Sequence, residues 1–269
     1  MKRFTLISLP IIIILAAAIF ALQKPTLFKN GKSDYVIVLC KSASTSEQTA
    51  AKELQSYLEQ IGGVVLPIIN RNELQEGQKH ILVGYNKKYG AEFGVERPDK
   101  NDEGFTYRTV GPNIWIYGGS QRGTMYGVYS FLENELGIRW YTKDYTHLKP
   151  LKKWQFKDLY CSETPFIQYR FDQYYNVEPH KDWLAHNKCN SVWAAQDNEY
   201  GGLVAYWNAH TFEQFIPSGE YFQKHPEYFS LRDGKRTPYT QLCLSNPEVL
   251  QICIEKMGKD VRVAIIPPD

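Results

Sequence analysis

Cysteine is scarce in this 269-residue chain: Cys40, Cys161, Cys189, Cys243 and Cys253 are odd in number and show no C-x-x-C spacing. That pattern argues against a zinc knuckle and against a dense disulfide framework, and most of the five read as buried thiols. No H-E-x-x-H or G-x-S-x-G string occurs, so metalloprotease and serine-hydrolase chemistry have no signature. The one glycine-rich string, Gly118-Gly119-Ser120-Gln121-Arg122-Gly123, fits neither G-x-G-x-x-G nor G-x-x-x-x-G-K-[ST]. It reads as a tight strand-to-helix turn rather than a phosphate cradle. A surplus of one charge sign is also missing. With a formal net charge of +2 and no acidic tail, nothing marks a nucleic-acid partner. No metal and no cofactor are expected.

Aromatic residues, by contrast, make up 14% of the chain, with 6 Trp and 19 Tyr. Aromatic faces can lie against the apolar C–H faces of sugar rings, although any one of them is more commonly a core residue. Met1-Lys2-Arg3 precedes an apolar run over residues 4–22, which is the pattern of an export signal. Small residues at Ala16-Ala17-Ala18 allow cleavage, while a run near the ~20 residues that span a bilayer also allows membrane attachment through residues 4–22. The expected location is periplasmic, cell-surface or extracellular. The first cysteine, Cys40, lies too far on for a lipoprotein.

Residues 1–22 are therefore set apart, and a polar linker over 23–33 follows. Residues 34–148 read as an N-terminal α+β sandwich-like domain. Strands are expected at 35–39, 64–69 and 80–83, with a helix at 46–60 whose apolar positions Ala50, Leu54, Tyr57, Leu58 and Ile61 share a face. Gly62-Gly63 stops that helix. Alternation over 105–110 and 114–117 around Gly111-Pro112-Asn113 predicts a hairpin. Met125, Val128, Tyr129, Leu132 and Leu136 then form one helical face that Gly137 ends. Residues 149–159 look like a connection. Beyond it, 160–269 carries a strand-helix rhythm: strands at 166–171, 191–195 and 261–266, and helices at 181–187 and 250–257. That is the first half of a (β/α)8 TIM-type barrel, and the overall class is α/β.

Three strings, Thr49-Ala50-Ala51-Lys52-Glu53-Leu54, Ile81-Leu82-Val83-Gly84 and the run from Gly118 through Gly127, resemble the N-terminal domain that precedes the barrel in family 20 β-hexosaminidases and family 67 α-glucuronidases. Four later strings resemble family 4838 of domains of unknown function: Trp207-Asn208-Ala209-His210-Thr211-Phe212, His225-Pro226-Glu227-Tyr228-Phe229, Asp233-Gly234-Lys235, and the run from Gln241 through Pro247. The resemblance implies an exported, glycoside-hydrolase-like protein acting on polysaccharides or glycans. A non-catalytic glycan-binding protein and an inactive truncated fragment stand as alternatives, because the related barrels continue past a fourth strand.

Functional groups of such barrels sit at the carboxyl ends of the strands. By that criterion Arg170, Asp172 and Tyr174 close the first strand, Gln196, Asp197 and Glu199 follow the second, and Trp207, His210 and Glu213 lie in the third region. Arg170 also falls where the resemblance implies an arginine near the sugar, and a guanidinium offers a planar fork of donors to vicinal hydroxyls. The expected carbohydrate-binding residues are Arg170, Asp172, Trp207 and His210, with Trp207 a stacking platform and His210 a donor. Trp183 reads as core, and the string from His225 to Phe229 as a structural turn. Glycosidic hydrolysis needs two carboxyl groups at defined separation. No such pair is assigned. The resemblance puts an acidic pair near Asp269, the last residue of the sequence.

Overall fold

The computed structural model describes residues 24–170, 172, 180–191, 198–205, 211–260 and 264–265. These fall into two compact units, one running to Leu203 and one from Val204.

In the first unit, β1 (Thr26–Lys29) and β2 (Val36–Leu39) lead into helix α1 (Thr45–Gly62). Then come β3 (Ile68–Asn70), β4 (His80–Val83), the short helix α2 (Lys87–Phe93), and the strands β5 (Phe105–Val110) and β6 (Asn113–Gly118). Helix α3 (Gly123–Leu136) precedes β7 (Arg139–Thr142), β8 (Tyr145–His147), β9 (Lys153–Gln155), β10 (Tyr160–Glu163) and helix α4 (Lys181–His186). Six strands form one sheet in the order β10-β5-β6-β4-β2-β3. The β3, β2, β4 and β6 pairings are parallel, and β6-β5-β10 is antiparallel.

Continuous apolar runs in β2 and β4 follow from burial on both faces, the usual state of central parallel strands. Ile37, Ile81, Val83, Ile114 and Ile116 pack against Leu54 and Leu58 of α1 and Met125, Val128 and Tyr129 of α3. On the opposite face Val36, Val38, Leu82 and Trp115 meet Tyr85, Tyr89 and Phe93. Helix α1 starts at a complete capping box: the Glu47 amide donates to Ser44 Oγ, and the Ser44 amide donates to Glu47 Oε2. As expected, α1 and α3 end at left-handed Gly63 and Gly137. The glycine-rich string is the tight turn the sequence predicts, for a Cβ on Gly119 would overlap the carbonyl of Asp102.

The segment expected to be a polar linker holds β1, which pairs with β9 and whose Leu27 and Phe28 are fully buried. The expected connection after residue 148 likewise turns back, with β9 completing that pair and β10 extending the main sheet beside β5. Leu27-Phe28 is too short a run to register as a strand by alternation, and its partner lies more than a hundred residues away. No strand forms over residues 166–170. Phe166 and Ile167 are exposed there, and the Arg170 backbone is occupied by Asn190, which donates to Arg170 O while its Oδ1 accepts from the Arg170 amide. The neighbouring helix does form as α4. Cys253 alone among the five cysteines is buried, the other four being half-exposed thiols.

In the second unit, β11 (Val204–Ala205) precedes α5 (Phe212–Phe215), α6 (Ser218–Tyr221), β12 (Leu231–Arg232), β13 (Lys235–Arg236), α7 (Pro247–Asp260) and β14 (Ala264–Ile265). Both strand pairs described there, β11-β14 and β12-β13, are antiparallel, whereas neighbouring barrel strands are parallel. Asp233 and Gly234, both at positive φ, make the β12-β13 turn. Tyr228 and Phe229 are buried with Phe215, Ile216, Leu242, Val249 and Cys253. The string from His225 to Phe229 is thus a packing turn, as read from the sequence. Among the described residues no helix is long and apolar enough to cross a membrane; residues 1–22 lie outside them.

Candidate functional site

The loop that carries Arg170 is tied down from beneath by a carboxylate the sequence did not single out. Glu103, just ahead of β5, accepts from Arg122 Nε at 2.5 Å through Oε1 and from Arg170 Nη2 at 2.5 Å through Oε2. The Asn190 amide donates to both oxygens, at 2.9 and 3.0 Å. Arg122 is only 1% exposed and Asn190 fully buried, and Arg122 Nη1 also donates to the carbonyl of Gly201. Burial of two guanidiniums is tolerable because the shared carboxylate and the backbone carbonyls satisfy them.

Arg170 Nε and Nη1 donate to the carbonyls of Lys188 and Ile167. Its guanidinium also lies 5.5 Å from the Tyr126 ring centroid. Three of its donor groups therefore have protein acceptors. The fork that reads as a sugar clamp in the sequence acts here as the fastener of its own loop.

Above this network lies an open cleft lined by Tyr169, Arg170, Asp172, Trp183, Asn187 and Cys189. Two of the sequence-expected binding residues, Arg170 and Asp172, thus share one wall. Trp183 comes from α4, donates through Nε1 to the carbonyl of Trp140, packs half-buried against the core, and also borders the cleft. Burial pushes the Cys189 thiol up, and the Asp172 carboxylate adds to that shift. The arrangement joins aromatic surface with a carboxylate acceptor and the side-chain amide of Asn187, a composition suited to a polyhydroxylated ring.

Trp207 and His210 lie outside the described residues, as do Tyr174, Gln196, Asp197 and Asp269. Glu199 is exposed in the turn Asn198–Tyr200. Glu213 accepts from both the amide and the hydroxyl of Ser218 and so caps α6. Among the described residues no group of three or more metal-ligating side chains comes together. Glu103, Arg122 and Asn190 escaped the sequence reading because Glu103, which Arg122 and Asn190 share with Arg170, is far from Arg170 in the chain, and no spacing rule links the four.

Residues 26–131 match the family described as "Glycosyl hydrolase family 67 N-terminus", and residues 140–265 match "Domain of unknown function (DUF4838)". The two matches follow one another along the chain, in that order. The first matched stretch contains five of the six strands of the main sheet, helix α1 and most of α3, and the second contains the residues that line the cleft. Among solved structures, a family GH115 4-O-methyl-α-glucuronidase with specificity for decorated arabinogalactans shares the fold, at TM-score 0.52 and 10% identity, over 84% of this chain and 40% of that one. The Flavobacterium johnsoniae chitobiase is matched at TM-score 0.40 and 18% identity, over 63% of this chain and 24% of its own. A Streptomyces plicatus β-hexosaminidase is matched at TM-score 0.39 and 13% identity, over 88% and 54%. The chain thus spans well under two thirds of the length of each. No curated protein matches it.

Proposed function

We propose that the chain is part of an exported carbohydrate-active protein that hydrolyses glycosidic bonds in polysaccharides or glycans. The observation that carries this reading is the family 67 N-terminal match directly ahead of the second family match. The shared fold with an α-glucuronidase supports it. The cleft at Tyr169, Asp172 and Trp183 is where the sugar would sit; Trp207 and His210, outside the described residues, are proposed as sugar-binding residues on the sequence alone. Such a reaction takes two carboxyl groups, an acid/base and a nucleophile roughly 5 Å apart for retention, or an acid and a base roughly 6.5–9.5 Å apart for inversion.

A second reading, a non-catalytic glycan-binding protein, is favoured by one feature. Among the described residues lining the cleft Asp172 is the single carboxylate, which suits hydrogen bonding to a sugar better than acid–base work. The test is release of new reducing ends by the native protein across a broad panel of plant and host glycans. Turnover of any member supports hydrolysis, retention of a glycan without turnover supports the binding protein, and neither result overturns both.

A further inference from the structure

The parallel part of the main sheet has its own crevice, far in character from the aromatic cleft. The chain leaves β2 through α1 to reach β3 on one side and later places β4 on the other side of β2. In an open α/β sheet such a reversal opens a crevice beyond the carboxyl ends of the two diverging strands, and small ligands bind there. Here the crevice is present as a cavity of about 380 Å³. That size lies in the ~300–1,000 Å³ range of small-molecule pockets.

Its walls come from the segments that follow β2, β4 and β6, including Cys40, Glu47, Tyr85, Lys87 and Arg97. Glycine keeps it open: Gly84 stands at φ +104, and a Cβ there would lie 3.1 Å from Glu47 Oε1. Gly118, also in the wall, has no room for a side chain against the carbonyl of Gly104. Glu47 is buried, and both its oxygens are engaged, by the Ser44 amide and by Thr124 Oγ1. Burial pushes its carboxyl up, against the hydrogen bonds from Ser44 and Thr124. Arg97 and Lys87 are exposed at the same cavity and have no ion pair among those described. A guanidinium and an ammonium converging on one pocket, over a carboxyl already spoken for, make a site for an oxyanion.

We infer that this crevice binds a small polar molecule through a phosphate or carboxylate group held by Arg97 and Lys87. The site is independent of the glycan cleft and of the reading built on it. Cys40 supplies a local reporter, because its half-exposed thiol lines the cavity.

The test is alkylation of the folded full chain with iodoacetamide, followed by peptide mapping of Cys40 alone, in inorganic phosphate or citrate at constant ionic strength set with chloride. Saturable protection of Cys40 by either anion is expected, weakened about tenfold in Arg97→Gln and in Lys87→Gln, as loss of one charge-assisted contact implies. Protection by phosphate alone identifies a phosphorylated ligand, and protection by citrate alone a carboxylated one. No protection by either anion up to about 50 mM, or protection unchanged in both variants, overturns the inference. Both substituted side chains are exposed, so the variants fold, and a thermal melt of each confirms it.

Discussion

Replacing Glu103 by Gln removes the one carboxylate shared by Arg122 and Arg170. The substitution keeps the shape of the side chain and deletes its charge. It leaves Arg122, 1% exposed, and Arg170, 18% exposed at its side chain, without their counter-ion, and turns one acceptor oxygen into a donor facing other donors. Breaking a buried pair by removing one partner costs about 3–5 kcal/mol, most of it the penalty of the stranded charge. For a unit of this size each kcal/mol lowers the melting temperature by about 2–4 °C, so a fall of about 10 °C is expected. Urea denaturation followed by circular dichroism measures the free energy. A double-mutant cycle with Arg170→Met isolates the contact, with a coupling above about 1 kcal/mol expected for groups that touch. If Glu103→Gln melts within the ~0.5 kcal/mol typical of a neutral surface change, the network does not hold the Arg170 loop and the reasoning fails.

Three further outcomes are expected. Gly119→Ala drives a methyl group into the carbonyl of Asp102 and should cost at least the ~1–3 kcal/mol of overpacking, read as a lower urea midpoint. Glu47 has its carboxyl raised by burial, so its folded form holds a proton that the unfolded chain has lost, and its contribution to stability falls as pH rises from about 4.5 through the raised value. Glu47→Gln, which retains a capping-box residue, should therefore gain on wild type in urea midpoint between pH 4 and 7; a difference that stays constant with pH would refute this. Asp172→Asn should weaken glycan retention by about tenfold or more, the loss of a hydrogen bond to a charged acceptor, measured by affinity electrophoresis.

What the sequence disclosed and what it hid divide along physical lines. Helices α1 and α3 and the β5-β6 hairpin were legible because their signals are local: periodic apolar faces, glycine stops and a turn tripeptide. The pairs β1-β9 and β5-β10 were not, since each joins short strands distant in sequence and no local pattern records the partner. Helix α2 is a single short segment whose Tyr89 and Phe93 cover Trp115, too brief for periodicity to declare itself. The same distance rule governed the site. Arg170 and Asp172 were singled out as the end of a barrel strand that does not form, and the Glu103 carboxylate that takes Arg170 Nη2 becomes visible only when residue 103 is folded against residue 170.

Retention of glycans by the native protein on an immobilised panel, compared with its Asp172→Asn variant, tests the central claim most directly. The account predicts saturable retention of at least one oligosaccharide class, reduced about tenfold by the substitution. Retention of none, by a protein shown to be folded, would contradict it.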